Sequence, residues 1–242
     1  MLDLKSTQDK TSIINLPTFN LPTEDGIPLE TNWHRIQMNL LIDILFYYWR
    51  DRTDYFMGGN MFIYYSANQV RNEDYRGPDF FLVKDVDGSY DRDSWIIWEE
   101  DGRYPNLIIE LASPSTINTD LNFKKHLYEK TFRTPEYFCY DPKEKKLLGW
   151  RLSNNQYHVL QANDKGWLWC EEVDLWLGLW KGKYQGINRT WLRFYNADGV
   201  LIYTGLETEA QRAEAEAQRA NAAEEKAKHL AALLAEHGIT VK

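Results

Sequence analysis

Between residues 30 and 50 apolar side chains recur at three- and four-residue steps, as Trp33, Ile36, Leu40, Leu41, Ile44 and Tyr47. That spacing predicts an amphipathic helix from Glu30 to about Arg50. Residues 1–27 are polar and carry Pro17, Pro22 and Gly26, a pattern that predicts a lead-in segment outside the folded domain. Tyr55 to Ser66 reads as strand material with a turn or bulge at Gly58-Gly59-Asn60. After the turn Arg76-Gly77-Pro78-Asp79, the run Phe80 to Val83 predicts a buried strand. Residues 85–103 surround the apolar Trp95 to Trp98 with carboxylates, and are expected to form an inserted loop or hairpin.

The run Leu107-Ile108-Ile109-Glu110-Leu111-Ala112 has the length and composition of a strand covered on both faces. A helix is expected from about Asn118 to Arg133, capped by Asn118 or Thr119. Further strand signals fall at Glu136 to Tyr140, Leu147 to Leu152, Tyr157 to Leu160, Trp167 to Cys170, Thr190 to Tyr195 and Val200 to Tyr203. The turn pairs Asp141-Pro142, Asn154-Asn155, Lys165-Gly166 and Asp198-Gly199 separate them, which predicts an antiparallel second half. From Glu207 the chain turns to Ala, Glu, Gln and Arg, with the related heptads 210–216 and 217–223. A separate helix follows, either solvated alone or paired in a coiled coil through an alanine seam and the distal Leu230, Leu233, Leu234 and Ile239. The domains are therefore expected at 1–27, 28–205 and 206–242.

Composition narrows the function classes. The net charge of -8 argues against coating duplex DNA by bulk electrostatics, so any nucleic-acid contact must be local. Residues 117–151 allow one, with eight basic against five acidic side chains, whereas 72–103 hold ten acids against four bases. Cys139 and Cys170 form no CxxC pair and read as reduced thiols of a cytoplasmic protein. The longest apolar stretch, Leu40 to Trp49, contains Asp43 and is too short to span a bilayer, so no membrane partner is expected.

Chemistry is signalled by charges where apolar residues belong. No phosphate-binding loop, GxSxG elbow or HExxH pair is present. Ser113 has no evident base, and His34 with Glu30 reads first as a helix-surface pair. Glu110 interrupts the apolar strand, and a buried carboxylate needs a partner. If the strand after Asp79 lies beside it, the two carboxylates share one face and call for a cation or a shared proton. On a wheel of about 100° per residue, Phe123, Leu127, Thr131, Tyr128, Leu121 and Phe132 form the apolar arc. Asp120 and Lys124 fall inside it, while Lys125, His126, Glu129, Lys130 and Arg133 face the other way. Either Asp120 and Lys124 are an ordinary surface pair or Lys124 is a buried functional ammonium.

The order Gly77-Pro78-Asp79, then Ile109-Glu110-Leu111-Ala112-Ser113-Pro114-Ser115-Thr116, then Asp120, Lys124 and Tyr128, then Pro135-Glu136-Tyr137 and Tyr140-Asp141-Pro142, resembles the Uma-type family of restriction endonuclease-like proteins. That family lies in the PD-(D/E)XK nuclease superfamily, and the likeness spans about residues 26–204. It implies an α/β (α+β) fold with a mixed sheet core flanked by helices, extended here by antiparallel strands and a C-terminal helix or coiled coil. It implies Asp79 and Glu110 as ligands of Mg²⁺ or Mn²⁺, with Glu30 completing the metal shell. Ala112 stands where the superfamily usually has its lysine, two residues after the Glu, and Lys124 matches the family's helical lysine.

The expected activity is hydrolysis of phosphodiesters, DNA first, by catalytic Asp79, Glu110, Lys124 and Glu30. The rival is a catalytically silent, nuclease-derived scaffold that assembles through its tail, with a coiled-coil partner over 207–237. A homodimer is expected in either case.

Overall fold

The computed structural model describes residues 31–66 and 77–236; the 1–27 lead-in, Glu30, Arg76 and Ile239 lie outside the described residues. Helix α1 (Asn32–Tyr48) starts at Thr31, whose hydroxyl accepts the His34 amide. Its apolar face goes inward, with Leu40, Leu41, Ile44 and Leu45 fully buried. The chain then lays down β1 (Tyr55–Gly58), β2 (Ile63–Tyr64), β3 (Phe80–Lys84), β4 (Trp95–Ile96) and β5 (Leu107–Leu111). Helix α2 spans 117–132, and β6 (Glu136–Asp141), β7 (Lys146–Ser153), β8 (Gln156–Val159) and β9 (Leu168–Cys170) follow. The chain closes with β10 (Leu175–Tyr184), β11 (Ile187–Tyr195) and α3 (Gly205–Glu236).

The main sheet has the order β1-β3-β5-β6-β7-β8. It is mixed: β5 and β6 run parallel, joined across α2, and the other neighbours are antiparallel. A second sheet, β11-β10-β9, is antiparallel throughout. Strand alternation divides the core in two. Phe80, Leu82, Leu107, Ile109, Phe138 and Tyr140 point towards α1 and the second sheet. On the other face, Phe81, Val83, Ile108, Tyr137 and Cys139 pack with Leu127, Tyr128 and Phe132 of α2.

Gln37 ties the α1 layer together. Its side chain donates to the Leu192 carbonyl at 2.9 Å and accepts the Leu192 amide at 2.8 Å, satisfying backbone groups on the β11 edge that β10 does not pair. This fixes the height of Trp33 and His34 against the end of β11.

Three local features differ from or decide between the sequence expectations. Of the loop and hairpin expected at 85–103 there is no hairpin; β4 pairs in parallel with the distant β2, and Trp95 is fully buried against Phe56 and Phe81. The longest strand, β10, is absent from the strands expected from sequence, and it carries Gly178 and Gly182. They are glycines because aromatic rings cover them: a Cβ at Gly178 would stand 2.1 Å from the Trp167 ring, and one at Gly182 2.2 Å from the Trp180 ring. Val200 to Tyr203 contributes one bridge, Leu201 to Tyr195, and no strand.

Helix α3 is anchored at its start. Thr204 and Glu207 cap each other, and Glu207 holds the fully buried Arg193 guanidinium through two bonds of 2.9 and 2.8 Å. Residues 209–233 are exposed, including Leu230 and Leu233. No helix among the described residues is long and apolar enough to cross a membrane.

Candidate active site

Strand register brings the first two site residues together. Phe80 of β3 pairs with Ile109 of β5, so Asp79 falls at the next step, beside Glu110, and the pleat turns both towards α2. Two backbone amides cross-link them: Leu111 N–H donates to Asp79 Oδ2 at 2.8 Å, and Asp79 N–H points to Glu110 Oε2 at 3.4 Å. Asp79 stays partly exposed, while Glu110 is fully buried.

Helix α2 delivers the cation. Its turns Asp120–Lys124 and Tyr128–Phe132 are wide π-type turns, separated by the α-helical Lys125–Leu127. The wide first turn leaves the Asp120 carbonyl bonded to the Lys125 amide five residues on, and the Tyr137 hydroxyl donates to the same oxygen at 2.9 Å. Lys124 Nζ then lies 3.1 Å from Glu110 Oε2 and 2.9 Å from Asp120 Oδ1. One helical turn on, the Tyr128 hydroxyl donates to Glu110 Oε1 at 2.7 Å. Glu110 is thus gripped at both oxygens, and Lys124, 20% exposed, keeps a route to solvent.

Burial dominates the electrostatics. It pushes Glu110 from 4.5 up to about 7, against the opposing pull of Lys124. Asp79 and Asp120 are raised for the same reason. Burial alone would lower Lys124, but the charges of Glu110 and Asp120 outweigh it and hold the ammonium protonated well above its usual range. The Tyr128 hydroxyl is pushed well up by burial and by the Glu110 charge, so it remains a donor.

The donor set fits a hard divalent cation in its minimal form. Mg²⁺ is commonly held by one or two carboxylates and several waters, and Asp79 with Glu110 offers two carboxylates whose charge is poorly compensated by the protein alone. Among the described residues no three His, Cys, Asp or Glu side chains form a complete cage. The reason is visible: Lys124 stands between Glu110 and Asp120, using the third carboxylate for itself.

Of the residues singled out from sequence, the structure therefore groups Asp79, Glu110 and Lys124, and Glu30 lies outside the described residues. Two neighbours carried weaker signals. Asp120 read equally as a surface ion-pair partner, but is buried. Tyr128 fell in the apolar arc and among the residues that carry the family resemblance, with no role given to its hydroxyl. The helical wheel also misplaced Phe123, which is 50% exposed, because residues in π-type turns advance by less than 100° each. The expected cap at Asn118 or Thr119 is replaced by the Ser113–Thr116 loop. There the Ser113 hydroxyl accepts the Ser115 and Thr116 amides, which accounts for Ser113 without nucleophilic chemistry.

Comparison with known proteins places these residues in context. Residues 25–181, which include all four sequence-predicted site residues, match the Uma2 family, described as "Putative restriction endonuclease". A solved structure from Anabaena variabilis ATCC 29413, titled as a "putative nuclease belonging to DUF820", is 16% identical. The match covers 62% of this chain and 82% of that one, with a TM-score of 0.40. No curated protein matches.

The Glu110 shift has a consequence for stability. Because the folded carboxyl titrates near 7 and the unfolded one near 4.5, the native state keeps a proton that the unfolded state releases between those values. In metal-free buffer, wild-type stability relative to Glu110→Gln is therefore expected to fall as pH rises through that window and to level off above it. Urea denaturation midpoints of the two proteins across the window check this. A difference that stays constant, or that grows in favour of wild type with rising pH, contradicts it.

Proposed function

We propose that this chain, which belongs to the Uma2 family, is a metal-dependent nuclease that hydrolyses phosphodiester bonds, with DNA as its first expected substrate. The observation that carries the reading is the meeting of Asp79, Glu110 and Lys124 at one end of β5, two buried or half-buried carboxylates beside a single ammonium. Asp79 and Glu110 would hold Mg²⁺ or Mn²⁺. Glu30 is proposed as a third oxygen ligand, supported by the place of its neighbour Thr31, which lines the same cavity as Ala112 and Ser113 just after Glu110. When bound, such a cation polarises a phosphoryl oxygen and makes water a better nucleophile at neutral pH.

The chain's own groups do the rest. The Leu111 amide fixes Asp79 Oδ2, and the Tyr128 hydroxyl fixes Glu110 Oε1, so neither carboxylate must reorganise. Lys124 supplies positive charge against the charge that develops on the phosphoryl group, and Asp120 positions it. Ala112, where a lysine would end the simplest motif, is fully buried in the α2-side core, so the ammonium arrives from the helix instead of the strand.

The tail supports a second, compatible reading as an assembly element. A 32-residue helix solvated over most of its length, with Leu230 and Leu233 exposed near its end, is suited to pairing with a second copy. We read the protein as a homodimer joined there.

Cleavage of labelled DNA and RNA with Mg²⁺ or Mn²⁺ tests the activity. Asp79→Asn and Glu110→Gln are expected to abolish it, and Lys124→Ala to lower it by about 10²- to 10³-fold; equal rates in wild type and all three variants contradict the assignment. Light scattering tests the assembly, using a chain ended after Arg212 so that Glu207 still pairs with Arg193. The full chain is expected to be a dimer and the shortened one a monomer. A monomeric full chain, or a dimer that survives shortening, removes the tail's role.

A further inference from the structure

The end of β5 opens onto a cavity of about 790 Å³ bounded by Trp33, Ser113, Ser115 and Arg189. A second hollow of about 320 Å³ shares Trp33, Pro142 and Arg189 with it and ends on Lys145 and Lys181. The two adjoin at those shared residues and together form a groove. Its inner end is lined by Ala112 to Ser115, the loop that follows Leu111 at the end of β5 and leads into α2, the helix that carries Asp120 and Lys124. Its outer end lies between the β6–β7 turn and the β10–β11 hairpin.

The charge of this outer end opposes that of the whole protein. The chain carries -8. Residues 181–189 nevertheless hold Lys181, Lys183 and Arg189 and no acid, and the facing turn holds Lys143, Lys145 and Lys146 around Glu144. Beside that turn, Asp141 Oδ1 accepts the Lys143 and Glu144 amides.

Elsewhere, cations are used internally: Lys84, Arg92, Arg151 and Arg193 each pair with a carboxylate. Lys145, Lys181 and Arg189 are exposed, and none forms an ion pair among the described residues. A buried polar atom adds an independent sign of a missing partner. The Tyr140 hydroxyl finds no hydrogen-bond partner among the described residues, its ring centre lies 6.0 Å from that of Trp33, and Arg189 is near enough to act on it electrostatically.

We propose that this groove is the track for a nucleic-acid phosphate backbone, with Lys145, Lys181 and Arg189 gripping phosphates and leading the strand past Trp33 to the carboxylates. This rests on the nuclease reading for what happens at the inner end. Cations on the β6–β7 turn and on the facing strands β10 and β11 match a regularly charged strand, and the lining of the inner hollow by Ala112 and Ser113, just past the end of β5, gives that strand a direction. Among the described residues 77–103 of the acidic segment, none lines either hollow, so its charge lies outside the groove itself.

Fluorescence anisotropy tests the proposal with a labelled oligonucleotide, single-stranded in one arm and duplex in another, and the full-length protein without divalent ions. Lys181→Glu/Arg189→Glu is compared with Arg103→Glu/Lys228→Glu, which changes the net charge equally away from the groove. The groove pair is expected to weaken binding at least about tenfold and to flatten the dependence of log K on log salt by about 1.5 to 2, as loss of two phosphate contacts requires. The control pair should stay within about twofold. Equal weakening by both pairs, no binding of either oligonucleotide at low salt, or binding of a polyglutamate peptide in preference to both would overturn it.

Hydrolysis of bis(p-nitrophenyl) phosphate, too small to span the groove, separates this from the activity itself. Metal-dependent turnover lost in Glu110→Gln but kept in the groove pair, together with the weakened oligonucleotide binding, supports both readings. Groove-dependent binding without any turnover leaves the track and removes the nuclease. Turnover with unchanged oligonucleotide binding in the groove pair does the reverse.

Discussion

A single carboxylate sets the terms for this site. Glu110 sits in a central strand with no exposed surface, where an ionised side chain is costly unless other groups share its charge. The protein answers from three directions: the Tyr128 hydroxyl, the Lys124 ammonium and the Asp79 amide. They arrive by two structural routes, the first two along α2 and the third across the β3–β5 register. Moving α2 by one residue, or slipping β3 by one position, would leave Glu110 buried with too few partners. The site and the packing on that face of the sheet are therefore one constraint.

A second buried glutamate shows what a purely structural solution looks like. Glu136, at the start of β6, receives the Arg151 guanidinium and the Glu172 amide, and the Cys170 thiol completes its surroundings. Arg151 also reaches the Trp169 carbonyl, so the cluster joins the two sheets. Among the described residues Glu110 has no guanidinium, and its cation there is a lysine that it shares with a second buried acid, while another carboxylate stands beside it. That arrangement concentrates negative charge near the protein surface, as a divalent cation requires.

The sequence made Glu110 conspicuous because one charge in six apolar residues violates the strand pattern. Lys124 was conspicuous through the helical wheel as well as the family resemblance, and that wheel placed Lys124 beside Asp120 correctly while misplacing Phe123. Lys124 and Asp120 are four residues apart and stay adjacent through a widened turn, whereas an absolute facing accumulates the angular error. Tyr128 was hidden because a tyrosine whose hydroxyl works inside the core looks, in a sequence, like any aromatic core residue. The second sheet was half legible for a related reason: the glycines of β10 look like breaks until the indole rings above them are seen. The groove beyond Trp33 was not legible, since it depends on two hairpins far apart in the chain facing one another.

The central claim is that Asp79 and Glu110 together form a divalent-cation site. Anomalous diffraction from a Mn²⁺-soaked crystal tests it most directly. The expected result is a manganese peak between the two carboxylates, with Lys124 retained beside Asp120. A crystal that takes up manganese elsewhere, or one in which Glu110 keeps its three protein partners and the space beside Asp79 shows no anomalous signal, would contradict it.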